Sequence, residues 1–404
     1  MNTLNKIGHQ APKPYRMDEK VESVEAIQFW TDNIKVLGHW KLQPKFGQLK
    51  SSLSSEKKLP SNIMIVGGDF SDENILFRES SIIKKLSLLF DAKCTNGGSI
   101  DDLKNSTDLS GYDMAIWGAN VDNSIEKLYP KKSIGSVLFC TKVLRDNRDI
   151  GDAVARIFKM RANAVIAINT DKKPFIFNLI DALGNLWCST SDLKILKKSM
   201  LDFYNWSKNS IRMKSEKASM DVIKPKLDDL CDIVKVIADK VENERGGRYF
   251  GNVSTRCSKM FPSMRTYENM VLVSGRNTPK DRLTSNDFIF TELDENKVLY
   301  AGDSKPSVDT PIQLILYKKL KKVNYMIHGH AYIENTIYTE HYFPCGDLRE
   351  LDAIIEKVDH KTTSFILNLK NHGFIIGTEN IEALKKYAES LNFKYREIGT
   401  ESIK

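Results

Sequence analysis

Two rhythms of apolar and polar positions alternate along the first half of the chain. From residue 62, short apolar runs of strand length are separated by segments in which apolar residues recur every three or four positions. The strand-like runs are NIMIVGG, YDMAIWG, GSVLFC and NAVIAIN, followed by the hairpin pattern KPFIFNLIDALGNLWC; a helical pattern such as DIGDAVARIFKMR lies between several of them. This alternation predicts an α/β domain over residues 61–215, built on a doubly wound, mostly parallel sheet.

Two polar stretches divide the chain. KSSLSSEKKLPS follows a helical pattern, VESVEAIQFWTDNIKVL, so residues 1–60 are predicted to form a helix and a linker. The second stretch, SKNSIRMKSEKASMD at 207–221, precedes a clear amphipathic helix from Leu227 to Val241 that Gly246 and Gly247 end. A second domain is therefore predicted over residues 220–404.

The glycines after the first strand are one candidate binding feature of the 61–215 domain. Ligands of doubly wound sheets gather at the carboxyl ends of strands, where Gly67 and Gly68 would let a backbone approach a phosphate. No GxGxxG pattern follows, however, and a pair of glycines at a strand end more often makes a tight turn. The role of this domain stays open at the level of sequence.

Composition narrows the class of protein. The chain is 41% hydrophobic and 28% charged, with no apolar run of membrane-spanning length, and its first residues lack the apolar core of a secretory signal. Its six cysteines form no CxxC pair. We therefore expect a cytoplasmic protein. The net charge of +8 is spread along the chain without a nucleic-acid-binding module, so a small phosphorylated partner is favoured over nucleic acid or a membrane.

Three turns in the 220–404 domain offer hydrogen-bond donors. GNVSTR contains Asn252, and MVLVSGRN runs from a strand into Ser274 and Gly275. In AGDSKPSVDTP, Thr310 is predicted to be a helix N-cap, which places Ser307 and Asp309 at the positive end of that helix. Such turns suit a phosphate, although small polar turns are common and Asp309 could simply cap the helix.

The stretch VNYMIHGHAYI carries the candidate metal ligands. It reads as a strand, so His328 and His330 would point to the same side, with Gly329 between them. Two imidazoles so placed suit a divalent ion, and His372 in SFILNLKNHGFIIG offers a third. The competing interpretation is a structural histidine pair, since spacing alone is weak evidence.

Taken together, GN.S.R, SG, KPS.DTP, H.H and a late NHG resemble the class II aldolase family. That family includes zinc-dependent sugar-phosphate aldolases, pentulose-phosphate 4-epimerases, methylthioribulose-phosphate dehydratases and the adducin head domain. The resemblance implies an α/β/α fold for residues 220–404, a homotetramer, and Zn²⁺ or another divalent ion such as Mn²⁺, Fe²⁺ or Co²⁺. The site residues that it implies are His328, His330 and His372 for the metal, Asn252, Ser274, Gly275 and Ser307 for the substrate phosphate, and Asp309 for proton transfer.

The resemblance leaves the exact reaction open. Aldol cleavage, epimerisation and dehydration of a phosphorylated ketose share an enediolate that a metal would stabilise, and we expect a lyase of the aldolase type. A noncatalytic adducin-like module, or a bifunctional enzyme with a second activity in the first domain, are the alternatives. The sequence does not decide which residue assists catalysis among the further candidates Glu334, Glu340, Asp347, Glu350, Tyr387 and Tyr395.

Overall fold

The structure is a computed structural model that describes only part of the chain. It describes residues 58–67, 81–95, 100–118, 130–133, 135–144, 150–219, 223, 225–242, 244–245, 247–262, 264, 267–396 and 399. The predicted helix at 21–37, the linker that follows it and Gly68 lie outside the described residues. In the described ranges no helix combines the length and the apolar character that crossing a membrane requires.

Among the described residues of the predicted first domain, seven strands form one sheet in the order β2-β1-β4-β6-β7-β8-β9, the first five parallel and the last two antiparallel. Its strands are β1 (Ile63–Val66), β2 (Lys93–Thr95), β4 (Met114–Trp117), β6 (Val137–Leu144), β7 (Ala164–Asn169), β8 (Ile176–Asp181) and β9 (Leu186–Thr190). The short strands β3 (Asp108–Leu109) and β5 (Lys131–Lys132) pair beside it. The helices are α1 (Ser81–Phe90), α2 (Ile100–Asn105), α3 (Ile150–Met160) and α4 (Leu193–Lys208).

Both faces of this sheet are covered because side chains alternate along each strand. In β4, Met114 and Ile116 pack in the cluster that contains the residues of α1 and α4. Ala115 and Trp117 instead pack with α2 and α3 on the opposite face. The near-continuous apolar runs in the sequence are explained by this two-sided burial, and the prediction of an α/β protein is confirmed.

The second sheet, of eight strands among the described residues, has the order β10-β16-β15-β14-β13-β17-β20-β19. Its strands are β10 (Lys214–Lys217), β13 (Asn252–Arg256), β14 (Val271–Ser274), β15 (Phe288–Asp294), β16 (Lys297–Ala301), β17 (Tyr325–Gly329), β19 (Ser364–Leu369) and β20 (Gly373–Thr378). The minor strands are β11 (Glu244–Arg245), β12 (Arg248–Tyr249), β18 (Tyr332–Ile333) and β21 (Phe393–Lys394). The helices are α5 (Asp228–Ala238), α6 (Cys257–Met260), α7 (Thr310–Lys319), α8 (Arg349–Ile355) and α9 (Ile381–Ser390), with a 3-10 turn at Ser285–Asp287.

The eight-stranded sheet is the middle of three layers. On β17, Ile327 packs into the cluster that contains residues of α5 and α9. Met326, its neighbour in the strand, packs into the cluster that contains residues of α7 and α8. The helices thus lie on both faces, and the central position of β17 between β13 and β20 puts the histidine segment in the interior.

The stretch predicted as a linker at 207–221 contains β10, which pairs in parallel with β16 at the edge of the second sheet. Its polar sequence fits an edge strand, since Lys214, Glu216 and Lys217 are exposed. The amphipathic helix predicted from Leu227 to Val241 is shorter in the structure and spans Asp228–Ala238.

Gly251 offers a test of how tightly this sheet is packed. Its φ is +71°, and a Cβ built on it would lie 2.3 Å from the carbonyl oxygen of His328. Gly251→Ala is therefore expected to lower the stability by about 2 kcal/mol, because left-handed backbone is costly for alanine and β17 would have to move. Thermal unfolding measures this loss. Gly111→Ala is the control, since no atom lies within 4 Å of its built Cβ; equal melting temperatures of the two variants would contradict the prediction.

Candidate metal centre

His328 lies near the end of β17 with its two ring nitrogens in different environments. Nδ1 is 2.8 Å from the carbonyl oxygen of Phe374, on the neighbouring strand β20. A carbonyl only accepts, so Nδ1 carries the proton and Nε2 presents a lone pair. Nε2 is buried and makes no hydrogen bond to the described residues. Burial, and then the proximity of His372, lower the pKa of His328 to about 4, which keeps the ring neutral near pH 7.

His330 approaches His328 from just beyond the strand. The prediction that one strand carries both rings is corrected here, because β17 ends at Gly329 and His330 begins the turn that follows. Its ring nevertheless lies 5.2 Å from that of His328 and stacks on Phe250 at 4.9 Å, between centroids. A Cβ on Gly329 would lie 2.6 Å from the ring of Phe374, so the close packing of the backbone between the two histidines against this ring requires glycine. Burial lowers the pKa of His330 well below its ordinary value.

His372 is wholly buried in the turn between β19 and β20, outside the strand-like run that the sequence suggested. Its Nδ1 is 2.7 Å from Oε1 of Glu350, and its Nε2 is 3.4 Å from Sγ of Cys345. Burial alone would lower the pKa of His372, but the carboxylate of Glu350 and then the Cys345 thiol outweigh it and raise the pKa well above its ordinary value. Glu350 thereby occupies Nδ1, which leaves Nε2 as the ring nitrogen available to a metal.

The three imidazoles converge on one point. Their ring centroids are 4.8 to 5.2 Å apart, and one donor atom from each lies within 4.8 Å of the others. A second overlapping group is formed by Asp309, Cys345 and the same His372. The residues fit a divalent metal. The Nε2 atom of His328 is buried and has no hydrogen-bond partner among the described residues. The Nδ1 atoms of His328 and His372 are each hydrogen-bonded to an oxygen, as is usual for histidines that bind a metal.

Asp309 lies beside this cluster. Its Oδ2 is 3.8 Å from Nε2 of His328, and its Oδ1 accepts a hydrogen bond of 2.6 Å from the backbone N–H of Gly346. The N-cap of α7 is Asp309 rather than the predicted Thr310, and its side chain makes no capping hydrogen bond. The carboxylate is therefore directed towards the histidines rather than towards the helix amides.

The predicted phosphate-binding turns meet near one strand end. Asn252 Nδ2 donates to Ser307 Oγ at 3.1 Å, and the N–H of Val253 donates to Ser274 Oγ at 3.1 Å. Gly275 is bridged to the segment before Ser307, but its N–H donates to the carbonyl of Asp287 at 2.8 Å. The structure thus brings Asn252, Ser274 and Ser307 together, while the Gly275 amide is already used by the protein.

Among the open acid/base candidates, only Glu350 touches a metal-ligand candidate in the described contacts. Glu334 and Tyr395 are exposed, and Glu340 pairs with Lys357 at the surface. Asp347 is buried and paired with Arg349, and Tyr387 donates to Ser364 Oγ at 3.1 Å in the position expected of a packing residue. Glu350 is thus singled out as a support of His372.

Several residues of the site carry no local signal in the sequence. Cys345 reaches His372, Phe250 stacks on His330, and Gln313 donates to Asn252 Oδ1. Lys280 lines the same small cavity as His328 and His330, and burial lowers its pKa to about 8. Each lies far along the chain from its partner, so neither spacing nor periodicity could have found it.

Comparison with known protein families identifies one segment. Residues 231–338 match the family model described as "Class II Aldolase and Adducin N-terminal domain". The matched segment includes His328, His330 and Asp309, and it ends before His372. A search of curated proteins found no match to this chain.

Comparison with solved structures finds partial similarity to class II aldolases. An L-fuculose 1-phosphate aldolase is 16% identical, with 43% of this chain and 82% of that chain covered and a TM-score of 0.30. An L-fuculose 1-phosphate aldolase from Glaciozyma antarctica PI12 is 13% identical, with coverages of 40% and 69% and a TM-score of 0.28. An aldolase II superfamily protein from Pseudomonas syringae is 12% identical, with coverages of 42% and 72% and a TM-score of 0.30.

Removal of one imidazole tests the cluster directly. We expect the purified chain to bind about one divalent ion, and His328→Ala to lose it, because two remaining imidazoles hold a metal weakly. Metal content after dialysis measures the loss. His360→Ala is the matched control, since its side chain is 77% exposed and far from these contacts in its pairing with Asp359. Full metal content in His328→Ala would exclude this ring as a ligand.

The raised pKa of His372 gives a second prediction. As the pH falls through that pKa, a proton occupies Nε2 and competes with the ion, so metal affinity should weaken at a higher pH than for an ordinary histidine. Below the pKa, metal binding must release this proton. Glu350→Gln removes the charge that raises the pKa, so it should release fewer protons. Calorimetric titration with Co²⁺ in buffers of different ionisation enthalpy counts them; equal release from both proteins would contradict the role of Glu350.

Proposed function

We propose, from the class II aldolase match of residues 231–338, that the second domain is a divalent-metal-dependent lyase of the aldolase type acting on a phosphorylated ketose or related sugar phosphate. The observation that carries the proposal is the convergence of His328, His330 and His372, whose donor atoms lie within 4.8 Å of one another. Three imidazoles that leave a further position open are the ligand set of a catalytic rather than a closed structural site, and the proton that the raised pKa keeps on His372 would leave when a metal binds.

Zn²⁺ is the ion we propose, with Mn²⁺, Fe²⁺ or Co²⁺ as substitutes that imidazole also accepts. When bound, such an ion supplies a positive charge that stabilises the enediolate formed beside a ketose carbonyl. The chain itself holds the rings in place: the carbonyl of Phe374 orients His328, and Glu350 orients His372. An inert module would gain nothing from three imidazoles that converge within 4.8 Å of one another, which argues against a purely adducin-like role.

Asp309 is the proposed acid/base. Its Oδ1 is held by the Gly346 amide, while Oδ2 is 3.8 Å from Nε2 of His328 and accepts at most a weak bond from Ser307 Oγ at 3.4 Å. This leaves one carboxylate oxygen near the metal-ligand cluster, where it can remove or return a proton at a substrate hydroxyl or carbon. The Gly346 bond keeps the carboxylate from turning away.

The donor-rich turns are the proposed phosphate subsite. Asn252 and Ser307 contact each other. Ser274, on the neighbouring strand β14, accepts from the N–H of Val253, the residue that follows Asn252. Asn252 also pairs with His328 across β13 and β17, so the subsite and the metal cluster are one strand apart. A phosphate held there would fix the sugar relative to the imidazoles. Gly275 belongs to this turn, and we assign it a conformational rather than a donor role because its N–H is used by Asp287.

The proposal extends to architecture and setting. We propose a doubly wound sheet for the first domain, a class II aldolase-like α/β/α arrangement for the second, a homotetramer and a cytoplasmic location. Epimerisation or dehydration of a phosphorylated ketose by the same residues is the alternative reaction, since both pass through an enediolate. A second activity in the first domain remains a separate hypothesis.

Product analysis separates these reactions. The zinc-loaded protein is incubated with a panel of phosphorylated ketoses and with their unphosphorylated counterparts, and products are followed by NMR and mass spectrometry. Cleavage divides the ketose into two shorter carbonyl compounds, epimerisation conserves mass, and dehydration removes the mass of one water. We expect turnover of a phosphorylated ketose alone. Absence of turnover across the panel by a protein that has bound its metal would count against an enzymatic role.

Replacement of Asp309 tests its place in this chemistry. Asp309→Asn keeps the shape and can still accept from Gly346, so we expect metal content and melting temperature to change little. Turnover should fall about 100-fold or more, because the amide cannot take a proton. Metal content, thermal unfolding and kcat are compared with wild type, and Asp303→Asn serves as a nearby control. Wild-type kcat in Asp309→Asn would remove this residue from the reaction.

A further inference from the structure

The turn that carries His372 is held from outside its own hairpin. Within the hairpin, the N–H of His372 donates to Leu369 at 3.0 Å, and Asn371 takes a left-handed conformation with φ of +56°. The remaining amides are held elsewhere: Asn371 N–H donates to the hydroxyl of Tyr332 at 2.9 Å, and Lys370 N–H donates to Thr339 Oγ1 at 2.9 Å. The position of the His372 turn therefore depends on residues outside the β19–β20 hairpin.

One of these anchors comes from the first domain. Asn185 is wholly buried in the turn between β8 and β9, and its Nδ2 donates to the carbonyl of Asn371 at 2.9 Å. The carbonyl of His372 itself accepts from Arg396 Nη1 at 3.1 Å, and Nη2 of that arginine donates to Asn185 Oδ1. The Asn185 amide thus bonds to the histidine turn with its nitrogen and to a second anchor of the same turn with its oxygen.

Asp181 holds Asn185 in this position. Its carboxylate accepts from the backbone N–H of Asn185 at 3.0 Å and from Asn185 Nδ2 at 3.1 and 3.3 Å. Trp187 Nε1 donates to Asp181 Oδ2 at 3.1 Å, which ties the carboxylate to its own hairpin. Asp181 is only 2% exposed, and a buried carboxylate that accepts this many hydrogen bonds is held in one position.

The same carboxylate also reaches the other side of His372. Tyr342 Oη donates to Asp181 Oδ2 at 2.9 Å. Tyr342 begins the segment that carries Cys345, whose thiol is 3.4 Å from His372 Nε2, and Glu350, whose carboxylate binds Nδ1. One hairpin of the first domain therefore contacts both chain segments that surround the His372 ring.

We infer that the turn at residues 181–187 of the first domain is a positioning element of the metal centre, acting through Asn185 and Asp181 on His372. The inference rests on the proposed metal site and gives the first domain a role in it that requires no second active site. Neither residue belongs to the proposed metal ligands or to the proposed phosphate subsite. Loss of their bonds leaves a buried carbonyl of the histidine turn unpaired, so the turn shifts and the ring is held in position by Glu350 alone.

The effect should appear in metal affinity, because groups that orient a ligating histidine typically change affinity by 10- to 100-fold when removed. Full-length wild type, Asn185→Ala and Tyr342→Phe are titrated with Co²⁺, whose visible absorption reports the ligand geometry. Dissociation constants come from competition with a chelator. We expect Kd to rise about tenfold in Asn185→Ala and less in Tyr342→Phe, with a shifted Co²⁺ spectrum in both.

Ile116→Val separates positioning from general stability. Ile116 is wholly buried in β4 of the same domain and has no polar group, so its replacement weakens the first domain without touching the 181–187 turn. Thermal unfolding in the presence of a chelator measures the stability of each variant. We expect Ile116→Val to lower the melting temperature while the Kd and spectrum of Co²⁺ stay as in wild type.

The outcomes are distinguishable. Wild-type Kd and spectrum in both Asn185→Ala and Tyr342→Phe would overturn the inference and leave the proposed metal site intact. So would a weakening in Ile116→Val as large as that in Asn185→Ala, since it would assign the effect to domain stability. Failure of the wild-type protein itself to bind Co²⁺ or Zn²⁺ would overturn the proposed function together with this inference.

Discussion

The candidate site depends on which nitrogen of each imidazole keeps its proton. The carbonyl of Phe374 and the carboxylate of Glu350 each hydrogen-bond to an Nδ1 atom, and this leaves the Nε2 atoms of His328 and His372 as the nitrogens available to a metal. A neutral imidazole can ligate a cation only through its unprotonated nitrogen, so tautomer choice precedes any chemistry. The two devices differ: a strand-to-strand contact fixes one ring, and a buried charge fixes the other.

That difference has an electrostatic consequence. Burial keeps His328 and His330 neutral, whereas Glu350 raises the pKa of His372, so the three rings do not compete equally with protons. His372 is also the ring that the metal-ligand group shares with Asp309 and Cys345. The Nε2 atom of His372 is therefore available to a proton, to the Cys345 thiol and to a cation. The turn that carries His372 is also hydrogen-bonded by Asn185 of the first domain.

The local sequence pattern predicted many of the strands and helices, but few of the residues that hold the histidines in place. Apolar runs such as YDMAIWG became β4 because burial on both faces demands continuous hydrophobicity, and the α/β class followed. The HGH spacing predicted that His328 and His330 lie close together, and their rings do. It could not show that the strand β17 ends at Gly329, where a side chain would meet Phe374 of a neighbouring strand. Glu350 could not be told from Glu334 or Glu340, because only tertiary burial separates an acid at a histidine from one in solvent. Asn185 is nearly 190 residues from its partner Asn371, and no periodicity encodes such a contact.

The edge strand β10 has a consequence for dividing the chain. It follows the last helix of the first domain, α4, in sequence but pairs with β16 of the second sheet, and the N–H of Leu348 donates to the carbonyl of Ile211 just before it. A fragment that begins at residue 220, where the sequence alone would suggest a cut, would leave one side of β16 without its partner. Unpaired backbone along an exposed strand is a template for intermolecular pairing. Fragments that begin before Ile211 would retain this cover and should stay dispersed, whereas shorter ones would tend to aggregate.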